Sequence, residues 1–457
     1  MTTDETITVT TPLRRTVPLG GDPVALAAGL LRHGLSDTQL LYERDAEVRV
    51  GVGVLAEVTL TGRAATSRGP WGERSLTAAG DPLGAFARLL GELPLPGWSG
   101  YGWAAFELAH ALAGHDVPAD ATLVRAVVPR TEVRLCPGAA VITSDTPHQL
   151  DLVTSLLTGP AGAPDAHKDR HEPVEVPVEA RDEHYLAAVA DCVRAIRAGE
   201  LQKVVLSREL PVAGPVDFVA SYLVGRRHNT PSRSFVVDTP DLRAFGFSPE
   251  TVAEIDADGT VRTRPLAGTR ARTGDAEDDL RLRGDLTTDA KEVYEHAVSV
   301  KLAHEELTRI CRPDTVAVPE FMDVKDRGSV QHLGSTVTGR LPEARDSGDA
   351  QTRAWRAFGA LFPAVTASGV PKRAAYPVIR DHEPTPRGLY SGAVFSVDSD
   401  GALDAALVLR TAFGVGDRVW LRAGAGIVSQ SRPEREFTET CEKLNSVARY
   451  LVRPATR

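Results

Sequence analysis

Short runs rich in β-branched and apolar residues, separated by turn residues, recur through this chain and limit what it can fold into. VVLSREL at 204–210, SFVVDT at 234–239, TVAEI at 251–255, AALVLRTAF at 405–413 and VWLRAGAGIV at 419–428 all read as strands. They are too numerous and too often turn-linked for a simple doubly wound sheet. An α/β protein of the α+β type, with large antiparallel sheets, is expected instead.

Two helices stand out by their period. Phe437, Cys441, Leu444, Ala448 and Leu451 form an apolar stripe near the C-terminus. Ser431-x-x-Glu434 upstream has the form of a capping box, which assigns Glu434 to the cap. At 3.6 residues per turn, Glu436, Glu439 and Lys443 fall within about 60° of one another beside that stripe. A second helix is predicted from Asp289 to Ile310, with Val293, Ala297, Val300 and Leu307 as its stripe and Glu292 and Glu295 on a neighbouring face. Asp289-x-x-Glu292 is again a capping box. Taken alone, each carboxylate pair also suits a solvated helix face. Two such pairs nevertheless match Mg²⁺, a hard cation that takes one or two direct carboxylates and keeps several waters. Four glutamates without a cation would carry excessive negative charge.

Charge and cysteine content narrow the function. The 457 residues carry 52 basic and 61 acidic side chains, a formal net charge of −9, which argues against a nucleic-acid binder or a polybasic membrane protein. Cys136, Cys192, Cys311 and Cys441 are scattered without a C-x-x-C pair, so neither a zinc ribbon nor a disulfide scaffold is expected. The opening MTTDETITVTTPLRR lacks the apolar run of a secretory signal, and no 18-residue apolar stretch occurs. A cytoplasmic protein is expected. The stretch 159–183, rich in proline, glycine and charge, marks an exposed connection between two parts of the chain.

Only seven of the 52 basic residues are lysines, at positions 168, 203, 291, 301, 325, 372 and 443. A lysine in a chain that otherwise uses arginine invites a chemical explanation. Lys203 heads an apolar strand, and a half-buried lysine can lose its proton where arginine cannot. Glu250, in GFSPE at 246–250, follows a Ser-Pro turn; it suits either a general acid whose pKa burial raises or a turn carboxylate capping an amide. RPLAGTR (264–270), VQHLGSTVTGRL (330–341) and RAGAGIV (422–428) are glycine-punctuated and fit either anion-binding loops or tight turns. None is a nucleotide-binding signature.

Taken together and in this order, KVVLSRE, GFSPE, PLAGTR, DAKEVYEHAVSV, VQHLGSTVTGRL, FPAVTASGVPK, PRGLYSGAVF, LVLRTAF, RAGAGIV and PEREFTETCEKL resemble the chorismate-utilising enzymes, the family of anthranilate, aminodeoxychorismate, isochorismate and salicylate synthases. The likeness is strong over 185–453 and loose in the first half, as in YGWAAFELAH at 101–110. It implies a single fold over 1–457, with two packed, mainly antiparallel sheets and helices outside. In it, 159–183 is a surface crossover between an N-terminal half, 1–180, and a catalytic half, 181–457. It further implies a Mg²⁺ site of Glu292, Glu295, Glu436 and Glu439, with Glu295 and Glu439 as direct ligands. Arg410 and Tyr390 match positions that bind the enolpyruvyl carboxylate of chorismate, and Gly268, Thr366, Gly424 and Lys443 line the same pocket.

Within the family the chain is most similar to the single-chain salicylate synthases. Amine-adding relatives typically carry glutamine where Lys203 stands and take ammonia from a glutamine amidotransferase, a partner not expected here. The resemblance makes Lys203 the base that activates water for attack at C2, and Glu250 the acid that protonates the departing C4 hydroxyl, giving isochorismate. Thr269 and His332 match lyase-competent members, which go on to release pyruvate and leave salicylate. The alternatives are an isochorismate synthase that stops earlier, an aminating enzyme, and a non-catalytic homologue. A monomer is expected. Residues 342–361 are longer than the pattern requires and are expected to enlarge a surface loop or helix.

Overall fold

The computed structural model describes residues 12–159, 171–327 and 330–455. Most of the strand-like runs form strands, at Lys203–Val212, Arg233–Asp238, Thr251–Ile255 and Arg418–Ile427. Among the described residues these join two sheets, one of eleven strands and one of twelve, paired antiparallel. The α+β expectation holds. Both sheets draw strands from either side of the 159–183 connection, of which residues 160–170 lie outside the described residues. Residues 1–11, which hold most of the opening stretch, lie outside them too.

The run at 405–413 breaks the expectation of one continuous strand. Leu403–Leu407 belongs to the twelve-stranded sheet and Thr411–Val415 to the eleven-stranded one. Between them Arg410 takes φ 50°, a left-handed conformation that costs a non-glycine residue roughly 1 to 3 kcal/mol. The three glycine-punctuated segments are likewise not free loops. They form strands Leu266–Ala271, Val330–Arg340 and Arg418–Ile427, where glycine admits a close neighbour. A Cβ on Gly424 would stand 2.6 Å from the Leu206 carbonyl oxygen of the adjacent strand.

Apolar side chains fill three layers. Leu40, Tyr42, Phe235 and Phe413 from one sheet meet Tyr101, Trp103, Val394 and Ala406 from the other. Helices cover the outer faces of both sheets. One buried polar cluster crosses the middle layer: Arg233 Nε and Nη2, on the first sheet, donate to Asp404 on the second at 2.7 and 2.8 Å.

The extra stretch at 342–361 does more than enlarge the surface. It contains the whole of the helix Ser347–Leu361, whose Trp355 and Phe358 are fully buried. Aspartates cap many of the helices, including Asp182, Asp217, Asp289 and Asp346. The C-terminal helix Pro433–Ala448 departs from its predicted cap. Its N-cap is Arg432 without a side-chain bond, while Ser431 Oγ accepts from Val428 N–H at 3.1 Å in the preceding turn. Among the described residues no helix is long and apolar enough to cross a membrane.

Candidate active site

Lys203 is the first residue of its strand and pairs with Val370 across the sheet edge. Its ammonium lies buried, 3.4 Å from Glu295 Oε2. Glu250 follows the strand Arg243–Ser248 and is 4% exposed. The Ser248 hydroxyl, 2.7 Å from the Glu250 carbonyl and 2.6 Å from that of Leu407, pins this turn between the two sheets. The Thr366 hydroxyl donates to Glu250 Oε1, and the Leu266 N–H donates to Oε2 at 3.3 Å. Burial outweighs these bonds and the nearby charges of Lys203 and Arg410, so the carboxyl is pushed up to about 7. The general-acid reading of Glu250 therefore has the burial it required. Thr366, expected against the substrate, has its hydroxyl on Glu250.

Thr269, His332 and Arg410 form a second group, in which His332 Nδ1 is 3.0 Å from Thr269 Oγ1 and Nε2 is 3.0 Å from Arg410 Nη2. A guanidinium only donates, so Nε2 accepts and the proton sits on Nδ1, which donates to Thr269. Gly268, one residue before, has φ 82° and lies at a bulge. A Cβ there would be 3.2 Å from Glu292 Cβ, so glycine lets this strand lie against the helix Ala290–Thr308.

That helix carries Glu292 and Glu295, and Pro433–Ala448 carries Glu436 and Glu439. Asp289 caps the former as predicted, accepting from Lys291 and Glu292 N–H. The buried side differs from the predicted stripe: His296, Ser299 and Ala303 are buried beside Val300 and Leu307, whereas Val293 and Ala297 are only partly so. Three of the four carboxylates stand beside cationic side chains, so the charge is lower than the sequence argument allowed. Arg270 donates to Glu292 at 3.1 Å; Lys291 lies 3.9 Å from Glu295; Lys443 lies 2.8 Å from Glu439. Burial pushes Glu292 and Glu436 up, aided by Glu295 beside Glu292 and by Glu439 and Glu295 near Glu436. Burial also raises Glu439, but the Lys443 ammonium outweighs it and holds the carboxyl below its usual range.

Among the described residues no three His, Cys, Asp or Glu side chains stand close enough to hold an ion together. Mg²⁺ does not need three protein ligands. Glu295 Oε1 and Glu436 Oε2 are buried oxygens without a hydrogen-bond partner, one from each helix. Such orphaned carboxylate oxygens are costly unless a cation or water meets them. The donor set fits a hydrated Mg²⁺.

Tyr390, Gly424 and Lys443 form a third group. Lys443 Nζ donates to the Gly424 carbonyl at 2.8 Å while pairing Glu439, and the Tyr390 ring is buried. The sequence reading missed what supports them. Glu383 is buried between Arg387 and Arg422, at 2.6 Å from each, and both guanidinium carbons lie 5.8 Å from the Tyr390 ring. The two arginines stand inside PRGLYSG and RAGAGIV, so the motifs flagged the places but not the residues.

Residues 37–449 match the family model described as chorismate binding enzyme. The chain belongs to the chorismate-binding enzymes. A salicylate synthase of Mycolicibacterium paratuberculosis is 42% identical over 450 residues, 95% of each chain. An anthranilate synthase component 1 of Haloarcula marismortui is 40% identical over 275 residues, 59% of this chain and 50% of that one. Among solved structures, anthranilate synthase component I from Streptococcus pneumoniae superposes with a TM-score of 0.74 at 25% identity, covering 89% of this chain and 92% of the other. A menaquinone-specific isochorismate synthase from Escherichia coli shares the fold, with a TM-score of 0.68 at 23% identity over 96% and 95% of the chains. The chorismate-binding fold is thus the one that brings Lys203, Glu250 and the glutamate helices together here.

Proposed function

We propose that this chorismate-binding enzyme converts chorismate through isochorismate to salicylate and pyruvate. The observation that carries the reading is the Thr269–His332–Arg410 chain, whose Arg410 acts with Lys203 on the Glu250 carboxyl, in a protein that matches a salicylate synthase along 95% of both lengths.

Lys203 takes a proton from the water that attacks C2, and Glu250, protonated near neutral pH, gives one to the departing C4 hydroxyl. Arg410 and Lys443 supply positive charge for a dicarboxylate in an otherwise acidic protein. Thr269, held by His332, orients the enolpyruvyl group over the ring, so that the C2 hydrogen passes to its methylene carbon as the ether bond to the ring breaks, giving pyruvate and aromatic salicylate. That step needs positioning more than an added acid or base. Glu295 and Glu439 would hold Mg²⁺ directly, with Glu292 and Glu436 acting through water. The ion when bound neutralises the ring carboxylate of the substrate.

The test is incubation of purified protein with chorismate and Mg²⁺, with the products separated over time. Salicylate with equimolar pyruvate is the expected result. Accumulation of isochorismate alone assigns the enzyme to the shorter reaction; an amino product with added ammonium assigns it to the aminating branch; no turnover removes the catalytic reading.

A further inference from the structure

Lys372 begins the helix Lys372–His382, and Glu306 lies in the last turn of Ala290–Thr308. Each sits at the end of its helix that the macrodipole disfavours for its charge. Both side chains are nearly buried, and Lys372 Nζ is 2.6 Å from Glu306 Oε1. Helix stability alone does not account for such a choice. A buried ion pair is also no stronger, as a rule, than apolar groups of the same shape.

What the pair joins is more informative. Besides Glu306, Lys372 Nζ donates to the Leu361 carbonyl at 3.0 Å, so one ammonium closes the loop from 361 to 372 across its ends. Within that loop Thr366 holds Glu250, and the carbonyls of Ser368 and Val370 accept from Val205 and Gln202 N–H at 2.8 Å, on either side of Lys203. Glu306 is on the helix that carries Glu292 and Glu295. A compact ammonium with three donors serves two acceptors from different directions, which a planar guanidinium does poorly. This explains a lysine here in a chain that otherwise takes arginine.

We propose that Lys372 and Glu306 are a positioning pair that sets the loop holding Glu250 and Lys203 against the helix bearing Glu292 and Glu295. The inference rests on the reading of Lys203 and Glu250 as base and acid. Neither Lys372 nor Glu306 touches substrate in this account; they act through Thr366 and the edge strand Gly369–Val370.

The test replaces both at once, Lys372→Met with Glu306→Leu, which leaves no buried charge unpaired. Thermal unfolding, kcat and KM for chorismate, and the pH dependence of kcat/KM are measured beside the unmodified enzyme. A positioning role predicts an unchanged Tm, a fall in kcat of about tenfold or more with little change in KM, and an alkaline limb moved upward as the Thr366–Glu250 bond loosens. A lowered Tm with kcat per folded molecule and the limb unchanged makes the pair purely structural and overturns the proposal, as does no change at all. If the double variant does not fold, Lys372→Arg, which keeps the charge, decides: reduced kcat with the shifted limb supports positioning, and full activity overturns it. An unmodified enzyme that does not turn over chorismate fells the underlying reading, and the inference with it. Normal turnover with an unaffected variant fells the inference alone.

Discussion

The Arg410 guanidinium donates to His332 Nε2 at 3.0 Å, and that bond decides how the Thr269 hydroxyl is used. With Nε2 accepting, Nδ1–H donates to Thr269 Oγ1, which leaves the hydroxyl hydrogen of Thr269 to point at a ligand. Removing the hydroxyl should separate the two halves of the reaction. Thr269→Ala is expected to consume chorismate at near-normal rate while the ratio of isochorismate to salicylate rises about tenfold, roughly the worth of one lost charge-neutral orienting bond. Product ratios by chromatography check this, and an unchanged ratio removes Thr269 from the second step.

Glu250 predicts a pH profile. Its carboxyl must be protonated to act as the acid, and burial places it at about 7, so kcat/KM should fall as pH rises through that value. The Thr366 hydroxyl stabilises the ionised form. Thr366→Val should therefore move the alkaline limb to higher pH, and Glu250→Gln should abolish ring chemistry while chorismate still binds. A limb that stays in place in Thr366→Val breaks the link between the two residues.

Lys203→Arg keeps the positive charge beside Glu295 but cannot deprotonate at working pH. A fall in kcat of about a hundredfold or more is expected, the usual scale for losing a general base. Steady-state kinetics on a variant with an unchanged circular dichroism spectrum checks it; near-normal turnover would mean that only charge is required.

The glutamates predict a metal requirement. Glu295→Gln and Glu439→Gln should each weaken Mg²⁺ binding by more than about tenfold, the lower bound usually seen when merely an outer partner is lost. Calorimetric titration with Mg²⁺ in the absence of substrate reads this directly. Equal affinity in both variants and the unmodified protein would place the ion elsewhere.

Asp404→Ala tests the cluster between the sheets. It leaves the Arg233 guanidinium, 2% exposed, without its two-pronged partner, and such a loss costs about 3 to 5 kcal/mol. Urea unfolding should show that loss, and adding Arg233→Met should recover most of it.

Much of this site is local in sequence and therefore readable from it. Glu292 and Glu295, and Glu436 and Glu439, share a helix face because of the helical repeat alone, and Asp289 announces its helix as the cap directly before Ala290. Glu250 and Lys203 stand at strand ends within motifs that resemblance carries. What escaped reading depends on partners far along the chain. Around Gly424 the sequence fits either an anion-binding loop or a tight turn, because nothing local reveals that the Leu206 carbonyl lies against it. Glu383 and Arg387 lie four residues apart just after the helix Lys372–His382, but Arg422 joins them from a distant strand, and no spacing rule links it to them. Lys372 was noted only as lying in a motif, because its partner Glu306 is 66 positions earlier. Ser431 shows the converse error: the letters of a capping box were present, but its hydroxyl was taken by a turn.

Arg410 occupies the short link by which the chain passes from Leu403–Leu407 in one sheet to Thr411–Val415 in the other. That link is one of several crossings between the sheets, and it lies beside the Ser248–Glu250 turn, which makes another. The arginine assigned to the substrate carboxylate is mounted on a crossing between the sheets, so a bound dicarboxylate bridging Arg410 and Lys443 would tie that crossing to the helix Pro433–Ala448.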